Sequence, residues 1–201
     1  SVSTVAFSIR PVITVTAPSL DQNIEVGSSN NTVSFNLNSS KVNKVDIYYS
    51  TNGQGGPFDK LISGGFVTTQ GDNSFTTWGP VLDTISGNVV VKVRDKSNDI
   101  VNGNVFGYSP VFDIIGKIVI SEPHNLEDVL AGSAKNIIWS KQGTLGNLKL
   151  YYFHDAAYEW IITVDSSLVS SHNWTVPPQI ENNTTIKIVV EATEGLGEDE
   201  V

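Results

Sequence analysis

Cysteine and methionine are both absent from the 201 residues of this chain. The lack of cysteine excludes disulfides, thiolate metal ligands and cysteine nucleophiles. A chain without methionine has lost at least its initiating residue, and we interpret the loss as removal of a secretory signal peptide. Aminopeptidase trimming or excision from a longer chain would also account for it.

Basic residues are scarce, with 12 Lys and Arg against 21 Asp and Glu and a formal net charge of −9. They are scattered, whereas nucleic acid binding needs Lys and Arg clustered against phosphates. No apolar run approaches the roughly 20 residues of a membrane helix. We therefore predict no nucleic acid partner and no membrane span. The low charged fraction of 16%, with many Ser, Thr, Asn and Gly residues, favours an extracellular, cell-surface location.

Motifs for catalysis or metal binding are missing as well. His124, His154 and His172 fall at unrelated positions, without a His-Glu-x-x-His pair, and no Gly-x-Ser-x-Gly elbow is present. The stretch Asp95–Asp99 lacks the Gly and Glu that complete an EF-hand loop. We expect the acidic residues Glu198 to Glu200 to form a solvated C-terminal tail. We predict that the chain is not an enzyme and holds no cofactor or metal.

The sequence is rich in short alternating segments of Val, Ile, Thr and aromatic residues, separated by Gly, Asn and Pro. Strands at such spacing predict an all-β sandwich. The segments also repeat, at an offset that shrinks from 105 to 97 residues. The matching pairs are Ile13–Pro18 with Ile118–Pro123, Val45–Tyr49 with Leu148–Tyr152, Phe58–Ile62 with Tyr158–Ile162, Trp78 with Trp174, and Val89–Val93 with Ile186–Val190.

The repeat predicts two tandem Ig-like antiparallel β-sandwiches, at residues 12–115 and 116–201, joined near Ile115–Lys117. Its landmarks resemble those of the Ig-like repeats in large prokaryotic surface proteins. They are an opening Ile-x-Val-x-x-Pro, a Val-x-Ile-x-Tyr strand, a Trp-x-Val-Pro turn and a closing Ser-x-x-Phe-x-Ile strand. The resemblance covers nearly the whole chain and implies this fold and an extracellular setting, but no particular activity.

The closing strand is in an unexpected place. The first copy ends with Ser109–Ile114, whose Phe and Ile should point into the core, and Thr4–Ile9 carries the same pattern at an offset of 105. In the second copy, only the acidic tail Thr193–Val201 follows the last apolar strand, Thr184–Ala192, and it contains no Phe-x-Ile. We therefore predict that the second sandwich lacks its closing strand and that residues 1–11 form a spare one.

An open strand edge is a template for another strand. We expect Val2, Val5, Phe7 and Ile9 of one molecule to complete the second sandwich of the next, and a heterologous contact of this kind propagates as a filament. The arrangement resembles donor-strand-complemented pili, and among them most closely the archaeal thread filaments. That resemblance implies a secreted, glycosylated homopolymer with a role in adhesion or cell–cell contact.

Three alternatives remain open at this level. The chain is a spacer segment of a large adhesin or surface-layer protein, or residues 1–11 pair within their own chain. The third is a carbohydrate-binding module, supported by Trp160 beside Tyr158. Because the counterpart of Trp160 in the first copy is Lys60, we expect Trp160 to point outward and to contact a sugar or a partner.

Five Asn-x-Ser/Thr sequons are candidate sites for N-linked glycans, at Asn30, Asn38, Asn173, Asn182 and Asn183. Asn30, Asn182 and Asn183 lie in turn-like stretches, where a glycan fits best. Asn38 and Asn173 lie within or beside strands and suit a glycan less well.

Overall fold

The computed structural model describes residues 10–97, 105–180 and 186–201. In these ranges the chain is all-β, with a single 3-10 turn at Gly53–Gly55 and no α-helix. No helix there has the length and hydropathy to cross a bilayer. The chain divides into two compact units after Asp113, and two short segments, Glu25–Gly27 and Leu82–Ile85, group with the second unit.

The first unit is built from nine strands in two sheets. The strands are β1 (Ile13–Ala17), β2 (Asn23–Glu25), β3 (Asn31–Leu37), β4 (Lys44–Ser50), β5 (Lys60–Val67), β6 (Gly71–Trp78), β7 (Ser86–Asp95), β8 (Phe106–Tyr108) and β9 (Phe112–Ile115). One sheet has the order β1-β3-β6, and the other has the order β2-β9-β7-β4-β5, with β8 also paired to β7.

The second unit repeats this arrangement with seven strands. They are β10 (Lys117–Glu122), β11 (Ala134–Gln142), β12 (Asn147–His154), β13 (Ala157–Asp165), β14 (Ser171–Thr175), β15 (Lys187–Ala192) and β16 (Glu198–Glu200). The sheet orders are β10-β11-β14 and β13-β12-β15-β16. In both units the first, second and fifth main strands share a sheet, which is an Ig-like sandwich topology. The predicted fold class is confirmed.

The cores follow from the alternation of apolar residues along each strand. In β3, Val33, Phe35 and Leu37 are buried while the residues between them are only half-buried. Successive side chains of a strand point to opposite faces, so one face of each sheet is apolar and the two apolar faces pack together.

An aromatic pair marks the same position in both cores. Tyr49 packs on Trp78 with ring centroids 5.5 Å apart, and Tyr152 packs on Trp174 at 5.4 Å. Each tyrosine comes from the third main strand and each tryptophan from the fifth. The sequence repeat is therefore a structural repeat.

The C-terminal tail differs from the expectation of a solvated terminus. Glu198–Glu200 form a strand, β16, antiparallel to β15. Its charges have partners within the second unit. An oxygen of Asp199 accepts a hydrogen bond from the Ile120 backbone N–H at 2.7 Å, and Glu200 pairs with Lys187 at 2.8 Å. Acidic residues have a poor strand propensity, and the sequence pattern reflects only that propensity. The two contacts offset it.

Replacing Phe35 by Ala should lower the free energy of unfolding of the first unit by about 3–5 kcal/mol, because a fully buried ring leaves a cavity. Urea unfolding followed by tryptophan fluorescence measures the change. The exposed Tyr158 is the control, and its replacement by Ala should cost well under 1 kcal/mol. Equal losses in the two variants would contradict this description of the core.

Candidate functional site at the closing edge of the second unit

The first unit shows what a complete closing edge looks like. Phe112 and Ile114 of β9 are fully buried, and the Phe112 ring packs edge-on against Trp78 at 6.1 Å. On its other side β9 pairs with the segment leading into β2. The Asp21 N–H donates to the Val111 carbonyl, and the Asp113 N–H donates to the carbonyl of Gln22. Strand β9 thus closes both the core and the sheet.

The tail of the second unit has the register of β8 rather than of β9. Glu200, Asp199 and Glu198 lie opposite Val189, Val190 and Glu191. Tyr108, Gly107 and Phe106 lie opposite the corresponding residues of β7, which are Lys92, Val93 and Arg94. The pairing is extended by Val201, which exchanges two backbone hydrogen bonds with Ile188 at 2.7 and 3.0 Å.

Val201 is thus the counterpart of Ser109, whose N–H bonds the Val91 carbonyl beside β8. In the first unit, the residues that follow are Pro110 and Val111 and then the buried strand β9. Among residues 10–97, 105–180 and 186–201, no strand occupies the corresponding place in the second unit. The candidate site is this place, which we call the closing gap.

The segment on the far side of the closing gap is not part of a described strand ladder. Residues 128–130 correspond to β2 at the offset of 105, but they form no strand. None of their backbone N–H groups donates a hydrogen bond to a described residue. Val129 is only partly buried where Ile24 is 2% exposed, and Leu130 is 79% exposed. Strand β2 exists because β9 lies beside it, and the second unit has no such neighbour in the described part.

The aromatic pair of the second core is less well covered than that of the first. Tyr49 is 1% exposed, whereas its counterpart Tyr152 is only partly buried. Partial burial, with a smaller contribution from the Glu159 carboxylate, raises the pKa of the Tyr152 hydroxyl. An apolar side chain entering the closing gap at the position of Phe112 would cover this pair.

The predicted donor residues Val2, Val5, Phe7 and Ile9 lie outside the described residues, as do Asn182 and Asn183. The other sequons are all exposed at the asparagine. Asn30 lies in a turn with φ of 62°. Asn38 accepts a hydrogen bond from the Val12 N–H, and Asn173 donates one to Asn136 across β11 and β14. Glycosylation of these sites stays a prediction.

Tyr158 and Trp160 lie on one face of the β12–β13 hairpin and are 63% and 64% exposed. They stand opposite Phe153 and Tyr151, so four aromatic side chains share the outer face of this sheet. The Phe153 and Tyr158 rings are 4.8 Å apart at an angle of 51°. These two rings are therefore tilted rather than stacked, and contact of Trp160 with a sugar or a partner stays a prediction.

A cluster of possible metal ligands that sequence reasoning missed lies at the end of β10. Ligand atoms of Glu122, His124 and Glu127 lie within 4.8 Å of one another. The Lys135 ammonium already bonds both carboxylates, at 2.9 and 2.6 Å, so a cation would have to displace it. Lys135 lowers the pKa of Glu127, chiefly through their hydrogen bond. The cluster is an ion-pair network, and the prediction of no metal site stays a prediction.

Other predicted site residues have local structural roles. The Asp95 carboxylate accepts hydrogen bonds from the backbone N–H and the hydroxyl of Ser97. Asp165 does the same with Ser167 in the second unit. This is an Asx-turn, in which a side-chain oxygen replaces a backbone acceptor. Asp99 lies outside the described residues.

No protein-family model matches the chain, and no curated protein matches it by sequence. Solved structures resemble it weakly. Fibronectin(III)-like modules of Clostridium thermocellum CbhA share 16% identity, over 94% of this chain and 92% of theirs, with a TM-score of 0.31. Immunoglobulin domains 1–4 of Sidekick-1 share 10% identity over 98% of this chain, with a TM-score of 0.39.

The N-terminal eight Ig domains of the Down Syndrome Cell Adhesion Molecule share 11% identity, with a TM-score of 0.32. The chain spans 49% of the Sidekick-1 chain and 26% of this one. Similarities of this strength support no argument about function. The Ig-like assignment therefore depends on the strand order and register of the chain itself.

Replacing Asp199 by Ala should destabilise the second unit by about 1–3 kcal/mol, because the Ile120 N–H loses its acceptor in a partly buried place. Replacement by Asn keeps an acceptor oxygen and should cost less. Chemical unfolding at neutral pH compares the two variants with Glu198→Ala, an exposed control on the same strand. If all three variants match the unsubstituted chain, β16 does not help to hold the sandwich together.

The Lys135 network should stabilise the second unit in a pH-dependent way. Because the pKa of Glu127 is lowered from its ordinary 4.5, the contribution is full above pH 4.5 and is lost as pH falls through the folded-state pKa. Lys135→Met should therefore lower the thermal midpoint at pH 7, and this difference should shrink as the pH falls below 4.5. A midpoint difference that persists unchanged at pH 3 would indicate lost packing rather than lost charge pairing.

Proposed function

We propose that this chain is a non-catalytic, Ig-like structural module of an extracellular assembly, in which sandwiches are linked in series by a shared closing strand. The observation that supports the proposal is the closing gap. The second unit repeats the strand order of the first up to the counterpart of Ser109, and none of its described residues forms a counterpart of β9. A sandwich in this state offers unpaired backbone groups and partly covered core side chains to an incoming strand.

The proposed source of that strand is residues Val2–Ile9 of a neighbouring molecule. The segment carries Phe7 and Ile9 at the spacing of Phe112 and Ile114, so the same side chains would enter the gap. Burial of Val5, Phe7 and Ile9 would contribute roughly 1.5–3 kcal/mol each. Head-to-tail repetition then builds a filament like the archaeal threads, with a role in adhesion or cell–cell contact. We also propose that exposed sequons carry N-linked glycans.

A second candidate is a spacer within a longer array of such sandwiches in an adhesin or surface-layer protein. The observation that favours it is the register of β16. In the first unit, β8 leads through Pro110 directly into β9. A strand attached after Val201 would follow the same path into the closing gap without any second molecule. Both candidates share the chemistry of the missing strand and differ in its source.

The test is assembly of the purified chain at high ionic strength, where contacts between exposed charges are screened, measured by negative-stain electron microscopy and sedimentation. The filament proposal predicts head-to-tail polymers that are abolished by Phe7→Asp, because the substitution would bury an unpaired charge. The control is Leu168→Asp, at an exposed apolar position in the turn after β13. A peptide of residues 1–11 should cap polymers of the unsubstituted chain.

The spacer candidate predicts a different result. The chain should remain monomeric, and attaching the sequence of residues 110–115 after Val201 should raise the thermal midpoint of the second unit. In that attached strand, Phe→Asp should remove the gain. Monomers with no gain from the attached strand would contradict both candidates.

A further inference from the structure

A second surface of the molecule carries a charge pattern that the closing gap does not use. It is the outer face of the sheet containing β7, which we call the cationic face. It is formed by Tyr48, Phe58, Lys92, Arg94, Phe106 and Tyr108. On this face two cations and four aromatic rings lie together, in a chain of net charge −9.

Lys92 occupies a cage of three rings. Its Nζ lies 4.4 Å from the centroid of Phe106, 5.2 Å from that of Phe58 and 5.5 Å from that of Tyr108. In the described part of the chain, no carboxylate lies within ion-pair distance of this ammonium. Partial burial first, and then the nearby Arg94, lower the pKa of Lys92. A half-buried cation without a carboxylate would gain from a negative partner.

Arg94 extends the same face along β7. Its guanidinium lies 4.8 Å from the Tyr48 ring centroid and donates a hydrogen bond to the Tyr48 hydroxyl at 3.1 Å. Asp46 lies opposite Arg94 and is 3.5 Å from its guanidinium. Lys96 is the next cation of the stripe, 3.9 Å from the same carboxyl group. Lys92, Arg94 and Lys96 outnumber the carboxylates of Asp46 and of Asp113, which alternation places on the same side of β9, so the face is positively charged.

The equivalent face of the second unit, which we call the acidic face, has the opposite pattern. Lys149 replaces Asp46, and Glu191 replaces Arg94 at the position opposite it. The counterparts of Phe106 and Tyr108 are Glu198 and Glu200. The counterpart of Lys92 is Val189. Lys149 and Lys187 remain on this face, so three carboxylates stand against two ammonium groups.

Aromatic residues are common to both faces. Tyr48 corresponds to Tyr151, and Phe58 corresponds to Tyr158. Trp160 stands beside Tyr151 and is 64% exposed, where the first copy has Lys60. Each face therefore combines aromatic rings, whose exposure to water is unfavourable, with charges that are mostly of one sign.

We propose that the cationic face of one molecule binds the acidic face of another copy of this chain. The partner is a second copy of this chain because its two faces are complementary: equivalent positions carry opposite charges, and both faces keep aromatic rings. In such a contact Lys92 and Arg94 meet Glu191, Glu198 and Glu200, and Trp160 loses its exposure to water. The contact does not involve residues 1–11 and is independent of strand donation.

The test separates this contact from strand donation by using Phe7→Asp as the background for every variant. Two charge-reversed chains are made in that background. Variant A carries Asp46→Asn and Arg94→Glu, and the Asn retains an acceptor for the Gly65 N–H that Asp46 binds at 2.9 Å. Variant B carries Lys149→Gln and Glu191→Arg. Sedimentation velocity measures association, and circular dichroism with a thermal midpoint checks the fold of each variant.

The background chain should associate at low salt and weaken roughly tenfold at high salt, because the charges are exposed. At low salt, variant A alone and variant B alone should each associate about tenfold or more weakly than the background chain. Mixed in equal amounts they should recover it, because each cationic surface in the mixture meets an acidic one. The controls Lys41→Gln and Asp155→Asn change the net charge as A and B do, at exposed positions outside both faces, and should leave association unchanged.

Failure of the A and B mixture to associate, while each variant is folded, would overturn the proposal. Association that is insensitive to salt and to both variants would overturn it as well. The proposal would also be overturned if the background chain remained monomeric up to millimolar concentration at low salt. None of these results bears on filament formation, which the unsubstituted Phe7 chain tests separately.

Discussion

The need to pair the backbone of the strand beside the closing edge governs both sandwiches. Strand β7 lies inside its sheet, with β4 on one side and β8 and β9 on the other. Its buried residues Val89, Val90 and Val91 have no exposure to water, so their amide groups must be satisfied by neighbouring strands. In the described part of the second unit, Val201 provides the last of these bonds to β15, at Ile188.

Several features of the two units depend on this single difference. In the first unit, where β9 is present, the segment beside it forms β2. The Tyr49 side chain is buried there, and Phe112 packs on Trp78. In the second unit, whose described residues include no counterpart of β9, residues 128–130 are irregular and Leu130 is exposed. The closing strand thus organises residues far from it in sequence, because one strand supplies hydrogen bonds to both of its neighbours.

The two copies differ most where packing constrains them least. Backbone register and the Tyr–Trp pair are maintained across the repeat. On the outer faces, however, the cross-strand pair Asp46 and Arg94 is replaced by Lys149 and Glu191 in reversed order. Opposite charges facing each other satisfy the sheet in either polarity. The polarity is therefore free to serve recognition by another surface.

Strand existence, sandwich architecture and the duplicated order of landmarks were predictable from the chain, because period-two alternation and Gly, Asn and Pro turns are local signals. The sequence alone also determined that Thr4–Ile9 and Ser109–Ile114 share one pattern. The strand formed by Glu198–Glu200 was not predictable. Its stability comes from Ile120 and Lys187, which lie 79 and 13 residues away along the chain.

Only the tertiary structure decided which side chains meet. The cage around Lys92 joins residues from β7, β8 and the turn before β5, and no local pattern marks them as neighbours. The cluster of Glu122, His124 and Glu127 likewise needs Lys135 from the next strand to become an ion-pair network. Alternation determines which face of a strand is apolar. Which strand lies beside it is decided by long-range backbone pairing, and that pairing places each charge.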